Sequence, residues 1–513
     1  MIGFLLPPMA SFAGGGGAIG ASEPVASKRP NIVYILADDL GYGDVRCCEP
    51  GNRIATPNVD RLAGEGMRFT DAHSGSSVCT PTRYGVLTGR YAWRTRLASG
   101  VLDGYSPPLI APGRLTVPGL LRQAGYHTAA VGKWHLGLDW AGKDGAEGPA
   151  RAGWEIDYAR PFASGPTSRG FDAYFGVVAS LDMPPYVFLE GDRAAAAPTV
   201  EKEWIRKGPA AADFEAIDVL PALADRAVKI IGERAAAARA GRPFFLYLAL
   251  TSPHTPIVPA AAWKGRSGLT PYGDFVMQTD DVVGRVLDAL ARARIDGETL
   301  VVFTSDNGCS PAAGFDDLVR RGHRPSGPYR GYKADIYEGG HRIPFVVRWP
   351  GVVSPGTSSD QTVCLTDLLA TVADIIGRPV PRDAGEDSVS LLPILRGEAR
   401  GPVREATVHH SINGSFAIRQ GPWKLALCPD SGGWSDPRPD RKDARDLPAV
   451  QLFNLADDPA EARNRQAEHP EIVARLTALL QKYVGDGRST PGPVRPNDRR
   501  VSIRRQVKAP AGS

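Results

Sequence analysis

Four apolar runs of this chain end in groups that bind cations or move protons. Asn31–Ala37 runs into Asp38-Asp39, and Thr299–Ser305 into Asp306-Asn307-Gly308. His127–Gly132 runs into Lys133-Trp134-His135, and Pro243–Leu250 into Thr251-Ser252-Pro253-His254. Asp38, Asp39, Asp306 and Asn307 are hard oxygen donors. With no cysteine thiolate or clustered histidines among them, they favour Ca²⁺ or Mg²⁺ over zinc. A single polar strand end caps a helix or closes a turn. Asp-Asp after one run and Asp-Asn-Gly after another instead point to one shared metal site. Lys133 and His135 stand two apart, so in an extended segment they face the same side. His254 lies between prolines in SPHTP, and Lys333 among glycines in GYKADIYEGGHRIP. Cations, imidazoles and a hard metal together suit an anionic tetrahedral group and its leaving oxygen.

The elements that must position these groups read as strands buried on both faces, as parallel strands are. Helix-like segments lie between them at Asn58–Met67, Val117–Ala124, Phe214–Ala237 and Phe275–Ala293. This alternation predicts an open α/β sheet with helices on both sides, whose ligands bind outside the carboxyl ends of the strands. After about residue 400 the pattern changes to short strands broken by turn residues, ATVHHSI, SFAIRQ, WKLAL and QLFNL, followed by a helical segment, His469–Val484. That predicts a smaller α+β domain with an antiparallel sheet. The expected division is a leader at 1–29, a catalytic domain at 30–400, the second domain at 401–488 and a basic, solvated tail at 489–513.

With 513 residues, 42% of them hydrophobic, the chain can bury a large core. Its 60 basic and 56 acidic residues nearly balance, which gives no bulk-charge case for nucleic acid. The six cysteines form no CxxC pair, which argues against zinc ribbons and thioredoxin-type sites. Adjacent Cys47 and Cys48 read as apolar or incidental thiols. No apolar run is long enough for a bilayer span. The first residues resemble a secretory leader, though without a basic start and with Pro7-Pro8 inside it. The expected location is therefore periplasmic or secreted.

One cysteine stands apart. SSVCTPTRYGVLTGR, Ser76–Arg90, places Cys79 on what reads as an exposed polar turn before an apolar, helix-compatible segment, whereas cysteine more often fills cores. CTPTRYGVLTGR resembles the signature of the formylglycine-dependent sulfatases, of the alkaline-phosphatase-like superfamily: Cys-x-Pro-Ser-Arg followed by Leu-Thr-Gly-Arg. NIVYILADDLGYGDV, TPNVDRLAGEGMRFTDAH, GYHTAAVGKWHLG, SPHTP, VVFTSDNG, GYKADIYEGGHRIP and LFNLADDPAEARN match that family's blocks in order, from about residue 30 to 485.

The resemblance implies that a separate maturation enzyme, reading the segment while it is extended, oxidises Cys79 to the aldehyde formylglycine. Thr82 stands where the family usually has Ser, which puts maturation yield in question. It further implies one Ca²⁺ on Asp38, Asp39, Asp306 and Asn307, with the modified Cys79 as a further ligand. The hydrated aldehyde would attack sulfur, with Asp306 helping to take its proton. Lys133 and Lys333 would hold the sulfate oxygens, and His254, or Lys333 with it, would protonate the leaving oxygen. His135 would then take the second hydroxyl's proton to expel sulfate, while Arg83 anchors the formylglycine hydroxyl. The implied substrates are sulfated carbohydrates, including 6-sulfated galactose or N-acetylgalactosamine, or aryl sulfates. Their selection would rest with loops at Ala141–Arg169 and Ala179–Glu203. Two alternatives remain open: a phosphonate monoester hydrolase or phosphodiesterase of the same superfamily, and an unmodified homologue that binds sulfated glycans.

Overall fold

The computed structural model describes residues 1–3, 29–143, 150, 152–439, 441 and 446–504. The expected leader and the last nine residues of the expected tail lie almost wholly outside them.

A ten-stranded mixed sheet runs through the larger part of the chain. Its centre is the set of apolar runs seen in the sequence. Thr299–Ser305, Asn31–Ala37, Phe244–Ala249, His127–Lys133 and Ala173–Val177 lie side by side and parallel. Ala37 pairs with Ser305 and Lys133 with Val177, so the polar strand ends are level with one another. Phe345–Arg348 pairs antiparallel with Thr299–Ser305, which makes the sheet mixed. Strands Asn31–Ala37, Phe244–Ala249 and Thr299–Ser305 are buried at every position, as the unbroken apolar runs require.

The helices fall at Pro57–Gly64, Val117–Gln123, Ala216–Arg239 and Pro271–Arg292. The first stops short of the expected Met67, because Met67 starts the strand Met67–Phe69. Among the described residues no helix is long and apolar enough to cross a membrane.

The second sheet is antiparallel, in the order Thr407–His410, Phe416–Gln420, Trp423–Ala426, Gln451–Asn454. Helix Pro470–Asp486 packs its Leu476, Leu480 and Tyr483 into the same apolar cluster as Val408, Ile418 and Leu425. Tyr91 and Trp93 of the larger part join that cluster, while the ten-stranded sheet keeps a core of its own.

Residues 489–504 of the expected tail are mostly exposed at 491–500 but are tied to the rest of the protein at several points. Ser489 donates through its amide and hydroxyl to Asp387, the Asp498 amide donates to the Arg94 carbonyl, and the Asp498 carboxylate meets buried Arg90 at 3.0 Å. Val501 and Ile503 pack on the second core.

Candidate functional site

The ends of three neighbouring strands are bonded together before any side chain takes part. The Asp38 amide donates to the Ser252 carbonyl at 2.9 Å, and the Asp306 amide to the Ala37 carbonyl at 3.1 Å. The chain then turns sharply at Asp39, whose φ of +64° lies in the left-handed region that Asp tolerates. The Leu40 amide donates to the Ser305 hydroxyl at 3.0 Å, and the Gly41 amide to Asp44 at 2.8 Å. Position 41 must be glycine, since a Cβ there would lie 2.2 Å from the Pro325 carbonyl oxygen. Tyr272 donates its hydroxyl to Asp44 at 2.5 Å and also lies 3.1 Å from the Asp39 carbonyl. The turn that carries both aspartates is thus fixed from behind.

The ten residues singled out in the sequence meet on this platform. Lys133 Nζ donates to Asp38 at 2.7 Å, Lys333 Nζ to Asp39 at 2.7 Å, and Asn307 Nδ2 to Asp39 at 2.7 Å. Arg83 lies along Asp306, with Nε at 2.9 Å and Nη2 at 2.8 Å, and donates Nη1 to the Lys133 carbonyl at 3.1 Å. Cys79 Sγ and carboxylate oxygens of Asp38 and Asp306 all lie within 4.8 Å of one another. His254 Nε2 faces Asp39 at 3.6 Å. Every one of these groups is buried.

Cys79 is not exposed, as its polar neighbours suggested; it is 2% exposed and opens the helix Cys79–Thr88. The last residue of the strand Thr407–His410 holds the segment just before Cys79. The Ser77 amide and the Ser76 hydroxyl both donate to the His410 carbonyl, and the Ala334 amide donates to the Ser77 carbonyl. The serines that made the segment look solvated are satisfied by a partner more than 300 residues away. Thr82, the departure from the family signature, donates its hydroxyl to the Ser76 carbonyl at 3.0 Å and so braces the same turn.

A second correction concerns Lys133 and His135. The strand ends at Lys133, and His135 has a φ of +55°, so the two do not share one face of an extended segment. His135 Nε2 instead donates to the Leu102 carbonyl at 2.6 Å, leaving Nδ1 as a buried acceptor without a hydrogen-bond partner among the described residues.

Charge is finely opposed here. Burial works to raise the Asp38 pKa, but Lys133, His254, Arg83 and Lys333 hold it well below the usual carboxylate range. Burial and the neighbouring Asp38 push Asp306 up to about 7, against Arg83 and Lys133. The two carboxylates compete for the same cations. Burial, then Lys333 and other neighbours, leave His254 below its ordinary value; burial and Lys133 do the same more strongly to His135, so it rests neutral.

Two buried oxygens in the centre have no hydrogen-bond donor among the described residues: Asp38 Oδ1 and Asn307 Oδ1. Buried acceptors are rarely left so. An all-oxygen set with orphaned lone pairs fits a hard divalent cation, and Asp38, Asp39, Asp306 and Asn307 are the residues able to hold it. A second cluster, His73, His341 and His409, is also close enough to suggest a metal. However, the His341 and His409 rings stack at 3.9 Å with planes only 7° apart. Imidazoles bind metals in their ring planes, and two stacked planes do not meet at one ion.

Sequence reading missed Ser180 and did not single out Thr251. Ser180 follows a fifth strand, Ala173–Val177, beside His135, whose amide donates to the Val178 carbonyl. Both hydroxyls are buried without partners among the described residues. The signal was present in AYFGVVAS, a further apolar run ending in a hydroxyl, but Gly176 weakens it as a strand.

A mixed sheet whose strand ends carry carboxylates, a lysine and histidines, met by Arg83 from a helix and Lys333 from a loop, defines an alkaline-phosphatase-like hydrolase. The family description "Sulfatase" matches residues 30–378. The chain is 32% identical to an N-acetylgalactosamine-6-O-sulfatase of Bacteroides thetaiotaomicron, covering 93% of this chain and 97% of that one. It is 33% identical to human arylsulfatase A, covering 93% and 92% respectively. A Bacteroides thetaiotaomicron structure, solved in work on the metabolism of multiple glycosaminoglycans, superposes with a TM-score of 0.76 at 32% identity, over 89% of this chain and 99% of that one. The chain belongs to the sulfatase family and is a sulfuric ester hydrolase.

Proposed function

We propose that this sulfatase removes 6-O-sulfate from galactose or N-acetylgalactosamine units of a sulfated carbohydrate, with Cys79 converted to formylglycine and one Ca²⁺ in the centre. The observation that supports the site is the pair of buried oxygens without hydrogen-bond donors among the described residues, Asp38 Oδ1 and Asn307 Oδ1, together with the close approach of Cys79 Sγ to Asp38 and Asp306. The similarity to the N-acetylgalactosamine-6-O-sulfatase supports the sugar. A separate maturation enzyme would act on Cys79 before folding buries it, and secretion to the periplasm or beyond accords with the start of the sequence.

Held by Asp38, Asp39, Asp306 and Asn307, the cation supplies Lewis-acid stabilisation of negative oxygen. The hydrated aldehyde at position 79 supplies the attacking oxygen and a second hydroxyl. Arg83, pinned along Asp306, orients that side chain from the same helix. Lys133 and Lys333 put two charges where the sulfate oxygens sit; burial works against the Lys333 ammonium, but Asp39, Cys79 and Asp38 keep its pKa above the usual lysine range. His254 donates Nδ1–H to the Thr255 carbonyl at 2.6 Å, which turns Nε2 toward the site. An arriving sulfate ester is an anion and raises the His254 pKa, so Nε2 can deliver a proton to the leaving oxygen. His135, neutral and with Nδ1 free, is the base that takes the second hydroxyl's proton, and sulfate is expelled.

Turnover of an aryl sulfate, an aryl phosphonate and a panel of mono-sulfated sugars tests this reading. The expected order is the 6-O-sulfated galacto sugars first, and the aryl sulfate far ahead of the phosphonate. Preference for the phosphonate, or for a 2-O- or 4-O-sulfated sugar, overturns the substrate assignment.

A further inference from the structure

We propose that the chain carrying unconverted Cys79 is a soft-metal site, in which the Cys79 thiolate joins Asp38 and Asp306 on Zn²⁺, so that conversion of the cysteine changes which metal the centre selects. This rests on Cys79 as the converted residue, and it assigns the unconverted chain a ligand of its own. The oxygen donors of the sequence contain no thiolate, which is why they favour a hard cation; the fold brings one to them.

The geometry is that of a ligand set. Cys79 Sγ and oxygens of Asp38 and Asp306 lie within 4.8 Å of one another, and Asp38, Asp39 and His254 form a second such triad sharing Asp38. Zinc bonds of about 2.3 Å to sulfur and about 2.0–2.2 Å to oxygen or nitrogen place tetrahedral ligand atoms roughly 3.5 Å apart, so small side-chain rotations close the set. Asp38 Oδ1 is buried and has no hydrogen-bond donor among the described residues. His254 Nε2, left as an acceptor by the Nδ1 bond to Thr255, belongs to the neighbouring triad with Asp38 and Asp39.

Burial raises the Cys79 pKa against Lys133 and Lys333, so the free sulfur is held as a thiol and it is the metal that displaces its proton. Binding replaces the thiol proton by the metal and releases one proton to water, with no change of oxidation state. Thiolate and imidazole ligands favour zinc, whereas carboxylate, amide and hydroxyl oxygens favour calcium. Replacing the side-chain sulfur by the oxygens of an aldehyde hydrate removes the thiolate of the set and shifts the balance toward oxygen donors and a hard ion.

The test uses the full chain purified from a host without maturation activity, with the thiol at Cys79 verified by peptide mass. Co²⁺ serves as the spectroscopic probe and Zn²⁺ as competitor, while Ca²⁺ is titrated separately by thermal shift; the Cys79→Ser variant goes through the same series. The expected result is a thiolate-to-cobalt charge-transfer band that Zn²⁺ abolishes and that Cys79→Ser lacks. The variant should also bind Zn²⁺ at least about tenfold more weakly, with Ca²⁺ binding retained. A cobalt spectrum without that band, or equal Zn²⁺ affinity in Cys79→Ser, overturns the inference; if Ca²⁺ still binds, the metal centre itself stands. Failure of both Ca²⁺ and Co²⁺ to bind overturns the inference and the metal centre together.

Discussion

Two of the buried ionic clusters among the described residues balance their charges in the same way and differ in what their acceptors face. At the strand ends, Asp38, Asp39 and Asp306 oppose Arg83, Lys133 and Lys333. Between the two sheets, Asp71, Glu338 and Glu461 oppose Arg342, Arg419 and Lys424. The formal charges match three against three in both, so charge balance does not distinguish them. What distinguishes them is what the remaining lone pairs face. In the joint between the sheets, Asp71 is met by Arg342, Arg419 and His73, and Lys424 bridges Glu338 and Glu461 at 3.0 and 2.8 Å. At the strand ends, Asp38 Oδ1 has Arg83 Nη2 no nearer than 3.7 Å and Asn307 Oδ1 has no hydrogen-bond donor among the described residues, whereas Glu461 Oε1 in the joint, also without a hydrogen bond, has the Lys424 ammonium at 2.8 Å. A network whose acceptors each face a close cation joins parts of a fold, whereas one with acceptors left facing none is open to a ligand.

Substitutions that act on one cluster and spare the other break or sharpen this contrast. Cys79→Ala carries the largest effect: sulfate-ester hydrolysis falls by about 10⁴-fold or more while thermal unfolding shifts little, because the group lost acts on substrate. Lys424→Met does the reverse. It leaves Glu338 and Glu461 buried without their cation and costs about 3–5 kcal/mol of stability, read as a lowered denaturant midpoint, with KM of the folded enzyme unchanged. A Lys424→Met enzyme that is fully stable but inactive would exchange the roles assigned to the two clusters.

Removal of the divalent cation comes next. If the cation is present at 100 times its Kd, chelation withdraws about 2.7 kcal/mol of stabilisation, measured as a drop in Tm that added Ca²⁺ restores. Asp306→Asn should show no such calcium-dependent shift, whereas Lys424→Met, though less stable throughout, should retain it.

The smallest effect is a pH slope. Burial first, with neighbouring cations and histidines, holds His73, His341 and His409 below their ordinary 6.5 in the folded protein. The unfolded chain therefore binds more protons as pH falls below about 6.5, and stability declines there by up to about 1.4 kcal/mol per pH unit for each histidine. Glu461, pushed up to about 7 by burial and Glu338, offsets part of this, since it takes a proton on folding. Equilibrium unfolding between pH 7 and 5 should be less pH-dependent in His409→Gln than in the parent chain; equal slopes would remove His409 from the account.

Much of the active cluster was legible because its residues end strands. Unbroken apolar runs give parallel strands their signature, and the residue after each run marks the face where ligands bind, so Asp38, Lys133, His254 and Asp306 could be placed together. Ser180 escaped because Gly176 breaks the apolar run before it. The burial of Cys79 was not legible, since the group that covers Ser76 and Ser77 is a backbone carbonyl at His410, which carries no side-chain signal. The inter-sheet joint escaped for a related reason. His73, His341 and His409 come from three distant segments, and none has a neighbouring residue that hints at the others. The ties of the basic tail were not legible because composition records charge and not its partners; Asp387 and Arg90 supply anchors for residues 489 and 498.

The central claim is that turnover depends on a converted Cys79 in the cation centre. The most direct measurement is the mass of the tryptic peptide Phe69–Arg83 in preparations matured to different extents, set against their sulfate-ester turnover. The account predicts that the fraction of peptide with the thiol replaced by an aldehyde rises in proportion to kcat per chain and extrapolates to zero activity at zero conversion. Full turnover by a preparation whose peptide retains the intact thiol would contradict it.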